Sequence, residues 1–232
     1  MSNIPFKLFK YPSRNRPERF FAGLDNITNN ISDKDYYHIS CTLDLDDLTM
    51  NNTAIKERLA TYPNISIEWG SSKSKIDAIN RNMPDIDWDI LIVMSDDMMY
   101  NVFGFDVMIG VDMLTWFPDY DGLGHWPDQD AKENLATMYV AGRKFYDRFG
   151  YIYHPSYKSL WADNEVMDVA QKLGKYKYMG YQINVHLNPA YGHLPKDEMF
   201  IEQQGYWGYD EMNYHKRKAM NFDLNINQNI QP

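Results

Sequence analysis

Cysteine is almost missing from this chain of 232 residues. Cys41 stands alone, so no internal disulfide forms, and the composition permits a reducing compartment. Long apolar runs are missing too. None approaches the roughly 20 residues of a membrane-spanning helix, and residues 1–16, MSNIPFKLFKYPSRNR, lack the apolar core of a signal peptide. The expectation is a cytoplasmic protein without a transmembrane segment, for which peripheral contact with a membrane stays open. Positive charge is short, with 23 Lys plus Arg against 32 Asp plus Glu and a formal charge of −9. That balance disfavours attraction to a polyphosphate backbone, so nucleic acid is not an expected partner. No Gly-x-x-x-x-Gly-Lys-Ser/Thr motif occurs, which argues against a conventional nucleoside triphosphatase. Tandem repeats and low-complexity blocks are also lacking, and the Asn-rich stretch after Phe222 reads as a frayed terminus.

What remains is a chain with 44% hydrophobic and 24% charged residues, enough to bury a sizeable core. Its pattern alternates strands with helices. Phe6 to Lys10 reads as a strand ending at Tyr11-Pro12-Ser13-Arg14, and Pro17 opens a helix with Phe20, Leu24, Ile27 and Ile31 on one face. Strands are predicted at Tyr36 to Thr42, Ile65 to Trp69 and Trp88 to Met94, with helices over Thr53 to Ala60 and from Lys75 to Met83 between them. The short apolar run Trp-Asp-Ile-Leu-Ile-Val-Met belongs in a sheet covered on both faces. Further helices are predicted at Phe105 to Leu114, Gln129 to Phe149 and from Asp163 to Leu173, and Tyr176 to Val185 reads as a last strand. Bulky aromatics between Trp116 and Pro127 either shape a pocket or cover the core. The aromatic tail from Glu202 to Arg217 is placed to fold over a site as well as to complete the core.

Polar residues at the carboxyl ends of strands in an open α/β sheet face the usual ligand crevice, and Asp44, Asp96 and Asp97 fall at such ends. The adjacent Asp96 and Asp97 lose solvation beside a hydrophobic edge unless a cation, donors or water compensate. A hard divalent ion bridging a diphosphate satisfies them, and so does turn capping. Asp163 fits either a helix cap or an acidic group within reach of an alcohol proton. His186, at a strand exit, offers a neutral nitrogen that suits Mn²⁺ better than Mg²⁺; His193 and His215 have no comparable placement.

These pieces, taken with Lys73-Ser74-Lys75-Ile76-Asp77-Ala78-Ile79-Asn80-Arg81, Gly142-Arg143-Lys144-Phe145, Trp161-Ala162-Asp163-Asn164-Glu165 and His186-Leu187-Asn188-Pro189, resemble a nucleotide-sugar-dependent glycosyltransferase of the GT-A fold. The nearest resemblance is to glycosyltransferase family 2, over roughly residues 6 to 190. It implies an α/β fold with a mostly parallel central sheet flanked by helices. It also implies one domain over 1–232: a nucleotide-binding half (1–115), an acceptor-binding half (116–205) and a tail (206–232). The reaction implied is transfer of a sugar from a nucleoside diphosphate donor, UDP first, to a hydroxyl acceptor such as a glycan, with inversion; a retaining glycosyltransferase and a non-catalytic nucleotide- or carbohydrate-binding protein on the same fold stay open as alternatives. In that reading Pro12, Ser13, Arg14, Asp44 and Lys75 line the nucleotide pocket, with Asp46 able to replace Asp44. Asp96 approaches the ribose, and Asp97 and His186 hold Mn²⁺ or Mg²⁺. Asp163 is the general base, and Glu165 orients the acceptor or supports the helix start. The family motif is Asp-any-Asp, whereas here the two acids are adjacent.

Overall fold

The computed structural model describes residues 4–224, so most of the Asn-rich terminus lies outside the described residues. The elements run β1 (Lys7–Pro12), α1 (Pro17–Asn30), β2 (Tyr37–Asp44), α2 (Thr53–Leu59), β3 (Ile65–Gly70), α3 (Lys75–Asn80), β4 (Ile90–Val93), β5 (Met98–Tyr100) and α4 (Phe105–Trp116). They continue with β6 (Leu123–His125), β7 (Val140–Gly142), α5 (Arg143–Asp147), α6 (Ala162–Lys172), β8 (Tyr176–Tyr178), β9 (Asn184–His186), α7 (Glu198–Gln204) and α8 (Trp207–Ala219).

Seven strands form one sheet in the order β3-β2-β1-β4-β7-β6-β8, and β7 alone runs against its neighbours. Strands β5 and β9 form a separate antiparallel pair. Strand β4, Ile-Leu-Ile-Val, is apolar and buried at every position because both faces of the sheet are covered there. Phe9, Tyr11, Ile90 and Ile92 turn to the face packed by α1 and α4, whereas Leu8, Leu91 and Val93 turn to the face packed by α3, α5 and α6. Helix α1 starts at Pro17, whose missing N–H costs nothing in a first turn. It buries Phe20, Leu24 and Ile27 completely, each contributing about 1.5–3 kcal/mol of transfer free energy.

Chain order places the site. From β1 the chain builds outward through β2 and β3, then returns to the opposite flank of β1 as β4, so the carboxyl ends of β1 and β4 meet where the winding reverses. A ligand crevice is expected there.

Two predicted elements take a different form. The helix expected over Gln129 to Phe149 is a loop, then the short strand β7, then α5. Met138 and Val140 pack on one face of the sheet while Tyr139 and Ala141 pack on the other, so this run follows a period of two. Gly142 ends it where a Cβ would lie 2.1 Å from the carbonyl oxygen of Tyr120. The strand expected over Tyr176 to Val185 divides into β8 and β9, and this division carries His186 out of the main sheet.

Cys41 is fully buried in β2, and burial pushes its thiol up. The native protein should therefore resist a thiol reagent at pH 8 and react only after denaturation. Rapid labelling of the native chain would contradict the packing around β2.

Candidate functional site

The carboxyl ends of the central strands open into a cavity of about 800 Å³. Of the residues singled out in the sequence, Pro12, Ser13, Arg14, Asp44, Lys75, Asp96, Asp97, Asp163 and His186 line it. Glu165 does not.

At one end, buried Asp44 is gripped from three sides. Arg14 Nη1 donates to Oδ2 at 3.0 Å, while Ser72 Oγ at 2.7 Å and Arg81 Nη2 at 2.9 Å donate to Oδ1. Arg14 also pairs with exposed Asp46, so the two acids considered for one role share one guanidinium. Arg81 crosses over Gly70, where a Cβ would stand 1.8 Å from Nη1. The carbonyls of Arg81 and Asn82, just beyond α3, accept from fully buried Lys10 Nζ at 2.7 and 3.0 Å. Burial lowers the Lys10 ammonium to about 8.

Asp96 sits at the switch point. It accepts from Ser13 Oγ and Arg16 Nη1, both at 2.9 Å. Burial pushes its carboxyl up and the charge of Asp97 adds to this, against the counter-charge of Arg16. Arg16 reaches further, donating through Nε and Nη2 to Asp197, the cap of α7, at 2.8 and 2.6 Å. The aromatic tail is thereby tied to the β1 loop, and Gln203, Tyr206 and Trp207 line the cavity as the sequence suggested.

The antiparallel pair explains how His186 meets Asp97. Met98 in β5 sits opposite His186 in β9, and Leu187 N–H donates to the Asp97 carbonyl at 2.6 Å. Asp97 Oδ1 is buried, makes no hydrogen bond and stands 3.5 Å from His186 Nε2. The other ring nitrogen, Nδ1, lies 3.3 Å from Asp128 Oδ2. Burial disfavours the imidazolium, but Asp128 and Asp97 outweigh it and raise His186 to about 9. Burial likewise works against the Asp97 charge, yet His186 and then Lys75 hold that carboxyl well below the usual carboxylate range.

An unbonded buried carboxylate oxygen facing an imidazole nitrogen, with a second carboxylate behind the ring, fits a divalent cation. Among the described residues no group of three or more His, Cys, Asp and Glu gathers to enclose an ion. Protein ligands would therefore number two, with the remaining positions open to a diphosphate or water.

Asp163 occupies the first turn of α6, where Trp161, not Asp163, is the cap residue. The predicted cap is thus not made. The Asp163 carboxylate accepts from the N–H of neighbouring Asn164 at 3.0 Å, and burial pushes it up. Trp161 holds φ at +62°, a strained value for a bulky side chain.

Glu165 requires a correction as an acceptor ligand. It turns into the core, accepting from Arg217 Nε and Nη2 and from Tyr157 Oη at 2.7–3.0 Å, and so supports the start of α6 from within. Nearby, fully buried Asp210 of α8 accepts the N–H groups of Lys158, Ser159 and Leu160, each at 2.8 Å. The segment carrying Asp163 is thus pinned on both sides by α8. The aromatic stretch 116–127 covers the core: Trp126 is buried, and none of its residues lines the cavity among those described. His193 pairs with Asp130, and His215 packs against Trp161.

Asp128, Arg16, Asp210 and Arg217 gave no sequence signal. Asp128 stands 58 positions from the histidine that it meets, and nothing in the spacing links them.

No protein-family model matches the chain, and comparison with curated protein sequences finds no match. Solved structures do match. A mannosyltransferase, PcManGT from Pyrobaculum calidifontis, in complex with GDP-Man and Mn²⁺, superposes with a TM-score of 0.65 at 14% identity, covering 83% of this chain and 59% of that one. S. aureus TarS 1-349 gives 0.56 at 10% identity, covering 78% and 60%. The same protein in complex with UDP-GlcNAc gives 0.55 at 12% identity, covering 78% and 58%. This chain thus spans about three-fifths of the length of these three solved chains. With its mostly parallel sheet and flanking helices, it has the GT-A fold of nucleotide-sugar glycosyltransferases.

Proposed function

We propose that this chain is a metal-dependent, inverting glycosyltransferase that moves a sugar from a nucleoside diphosphate, UDP first, to a hydroxyl acceptor. The observation that carries the reading is the meeting of Asp97, His186 and Asp163 on one cavity at the switch point. Structural neighbours solved with GDP-Man and Mn²⁺ and with UDP-GlcNAc support a nucleotide-sugar donor. In this reading residues 1–115 form the nucleotide half of one catalytic unit, 116–205 the acceptor half and 206–232 a tail over the site. The placement of the activity in the cytoplasm, in polysaccharide assembly, is part of the same proposal; among the described residues no helix is long and apolar enough to cross a membrane.

Asp97 and His186 would hold Mn²⁺ in preference to Mg²⁺, since one ligand is an imidazole. A bound divalent ion offsets the negative charge that develops on the leaving diphosphate. Arg14, Arg81 and Ser72 fix Asp44 toward the base, Asp96 faces the ribose, and Lys75 adds positive charge at the phosphate side. The acceptor oxygen forms its bond to the anomeric carbon as the bond from that carbon to the diphosphate oxygen breaks. The electron pair leaves with the nucleoside diphosphate, and the acceptor proton passes to the Asp163 carboxylate. One displacement inverts the configuration.

Calorimetric titration of UDP, GDP and CDP, each with Mn²⁺, tests the donor. UDP should bind most tightly, and Asp97→Asn should weaken it by at least about tenfold, the lower scale for disturbed metal sites. A clear preference for GDP or CDP would overturn the base assignment. Failure of all three to bind would overturn the glycosyltransferase reading.

A further inference from the structure

His186, the nitrogen ligand assigned to the divalent ion, stands on a strand of three residues outside the main sheet. A two-stranded pair of that length holds its members weakly. The register holds His186 less still. Leu187 N–H donates to the Asp97 carbonyl directly opposite, and Asn101 N–H donates to the Ile183 carbonyl, so His186 faces Met98 in a non-hydrogen-bonded pair. The N–H and C=O of His186 therefore point away from β5.

Gln129 meets them on that side. Its amide donates from Nε2 to the His186 carbonyl at 2.5 Å and accepts the His186 N–H at Oε1 at 3.0 Å. One side chain thus supplies both bonds that a third strand would supply. The residues flanking Gln129 hold the same segment: Asp128 Oδ2 meets His186 Nδ1 at 3.3 Å, and Asp130 Oδ2 meets His193 Nε2 at 2.8 Å. Asp128 is itself fixed and 3% exposed. Its Oδ1 accepts the N–H groups of Asp130 and Ala131 at 2.9 and 2.6 Å, and its Oδ2 accepts from Thr137 Oγ1 at 2.8 Å. A carboxylate held this way has only Oδ2 to offer the ring. As an acceptor it keeps the proton on Nδ1 and leaves the Nε2 lone pair on the side where Asp97 Oδ1 stands 3.5 Å away.

We propose that Asp128 and Gln129 are positioning residues for the divalent ion. Gln129 fixes where β9 lies beside Asp97, and Asp128 fixes the rotation of the imidazole and which of its nitrogens is free. The inference rests on the glycosyltransferase reading, with Asp97 and His186 as ligands, and deepens it by naming what holds the nitrogen ligand. With two protein ligands, a misplaced imidazole has no third side chain to replace it.

Asp128→Asn separates positioning from loop structure. The two backbone N–H groups require an acceptor, so the amide oxygen takes the place of Oδ1 and the NH₂ faces His186 Nδ1, while Thr137 Oγ1 accepts from the same NH₂. The loop keeps its bonds, and the ring must accept at Nδ1 and carry its proton on Nε2, where the ion should bind. The full chain with UDP is titrated with Mn²⁺ and with Mg²⁺, and pulsed EPR of bound Mn²⁺ reads whether an imidazole nitrogen coordinates it. The native chain should show the nitrogen coupling. Asp128→Asn should lose it and bind Mn²⁺ at least about tenfold more weakly, the lower scale for a partner behind a metal-bound histidine. Mg²⁺, which gains less from an imidazole, should lose less, whereas a loosened loop would weaken both ions alike. Gln129→Met frees the backbone and keeps Asp128, so it should weaken Mn²⁺ while the coupling persists in the ion still bound. UDP binding without metal should be unchanged in both variants. Native Mn²⁺ affinity in both variants, equal loss of the two ions in Asp128→Asn, or a coupling that survives Asp128→Asn would overturn the positioning role. UDP and Mn²⁺ bound by the native chain without nitrogen coupling would overturn it together with the place of His186 at the metal. Failure of UDP, GDP and CDP alike to bind would overturn the glycosyltransferase reading as well.

Discussion

Asp163→Asn is expected to lower glycosyl transfer by at least about a hundredfold, the lower scale of a positioned acid–base group. The amide keeps the shape of the carboxylate and its place in the first turn of α6 but cannot take a proton. Fold and donor affinity should persist, because the Asp163 carboxylate accepts from the neighbouring Asn164 N–H and not from the groups that hold Asp44 and Asp96. The pH profile gives a second readout. Burial raises the Asp163 carboxyl, and the base works only when ionised, so the rate should rise with pH through a midpoint above the ordinary aspartate value of about 3.9. That acid limb should vanish in Asp163→Asn. Transfer close to the unmodified rate would defeat the assignment. Retention of anomeric configuration would separately reject a single displacement.

The second large effect falls on stability. Arg217→Met leaves Glu165 buried with Tyr157 as its remaining hydrogen-bond partner, where the side chains of the original pair are 8% and 6% exposed. Removing one partner of a buried ion pair costs about 3–5 kcal/mol, because the other charge stays behind without compensation. Denaturant unfolding should show that loss. The double variant Arg217→Met with Glu165→Met should recover much of it, since two apolar residues of similar volume remove the charge altogether. A single-variant cost below about 1 kcal/mol, the scale of an exposed pair, would mean that the pair is solvated.

The parts of the site legible in the sequence were those set by chain-local rules. Strand exits put Ser13, Arg14, Asp44, Asp96 and Asp97 on one edge because a parallel sheet aligns its carboxyl ends, and that alignment follows from alternation alone. Asp163 is identifiable by its place at a helix start, and of its two readings the cap falls away because Trp161 takes that position in a left-handed conformation that no propensity suggests. Glu165 looked like a cavity residue for the same local reason. Tyr157 and the distant Arg217 turn it inward, and a pairing across 52 positions leaves no periodic trace. The run before Gly142 was read with the wrong period, since four apolar residues at three- and four-residue spacing also satisfy a strand that packs on both faces. Asp128 was invisible for the most general reason. A loop residue acquires its meaning from what the fold brings opposite, here the imidazole of His186.

The double grip of α8 on the Asp163 segment also bears on the order in which a ribosome delivers the chain. Strands β1 to β4 and the groups around Asp44 and Asp96 emerge within the first hundred residues, so the donor end has its parts early. The segment 158–165 emerges next without its anchors, for Asp210 and Arg217 are synthesised about fifty residues later. Until they arrive, three backbone N–H groups lack their acceptor and Glu165 lacks its arginine, so the segment carrying Asp163 is held without α8. On the proposed function, a nascent chain would assemble the end of the cavity around Asp44 and Asp96 before the Asp163 segment is fixed, and sugar transfer would wait for α8.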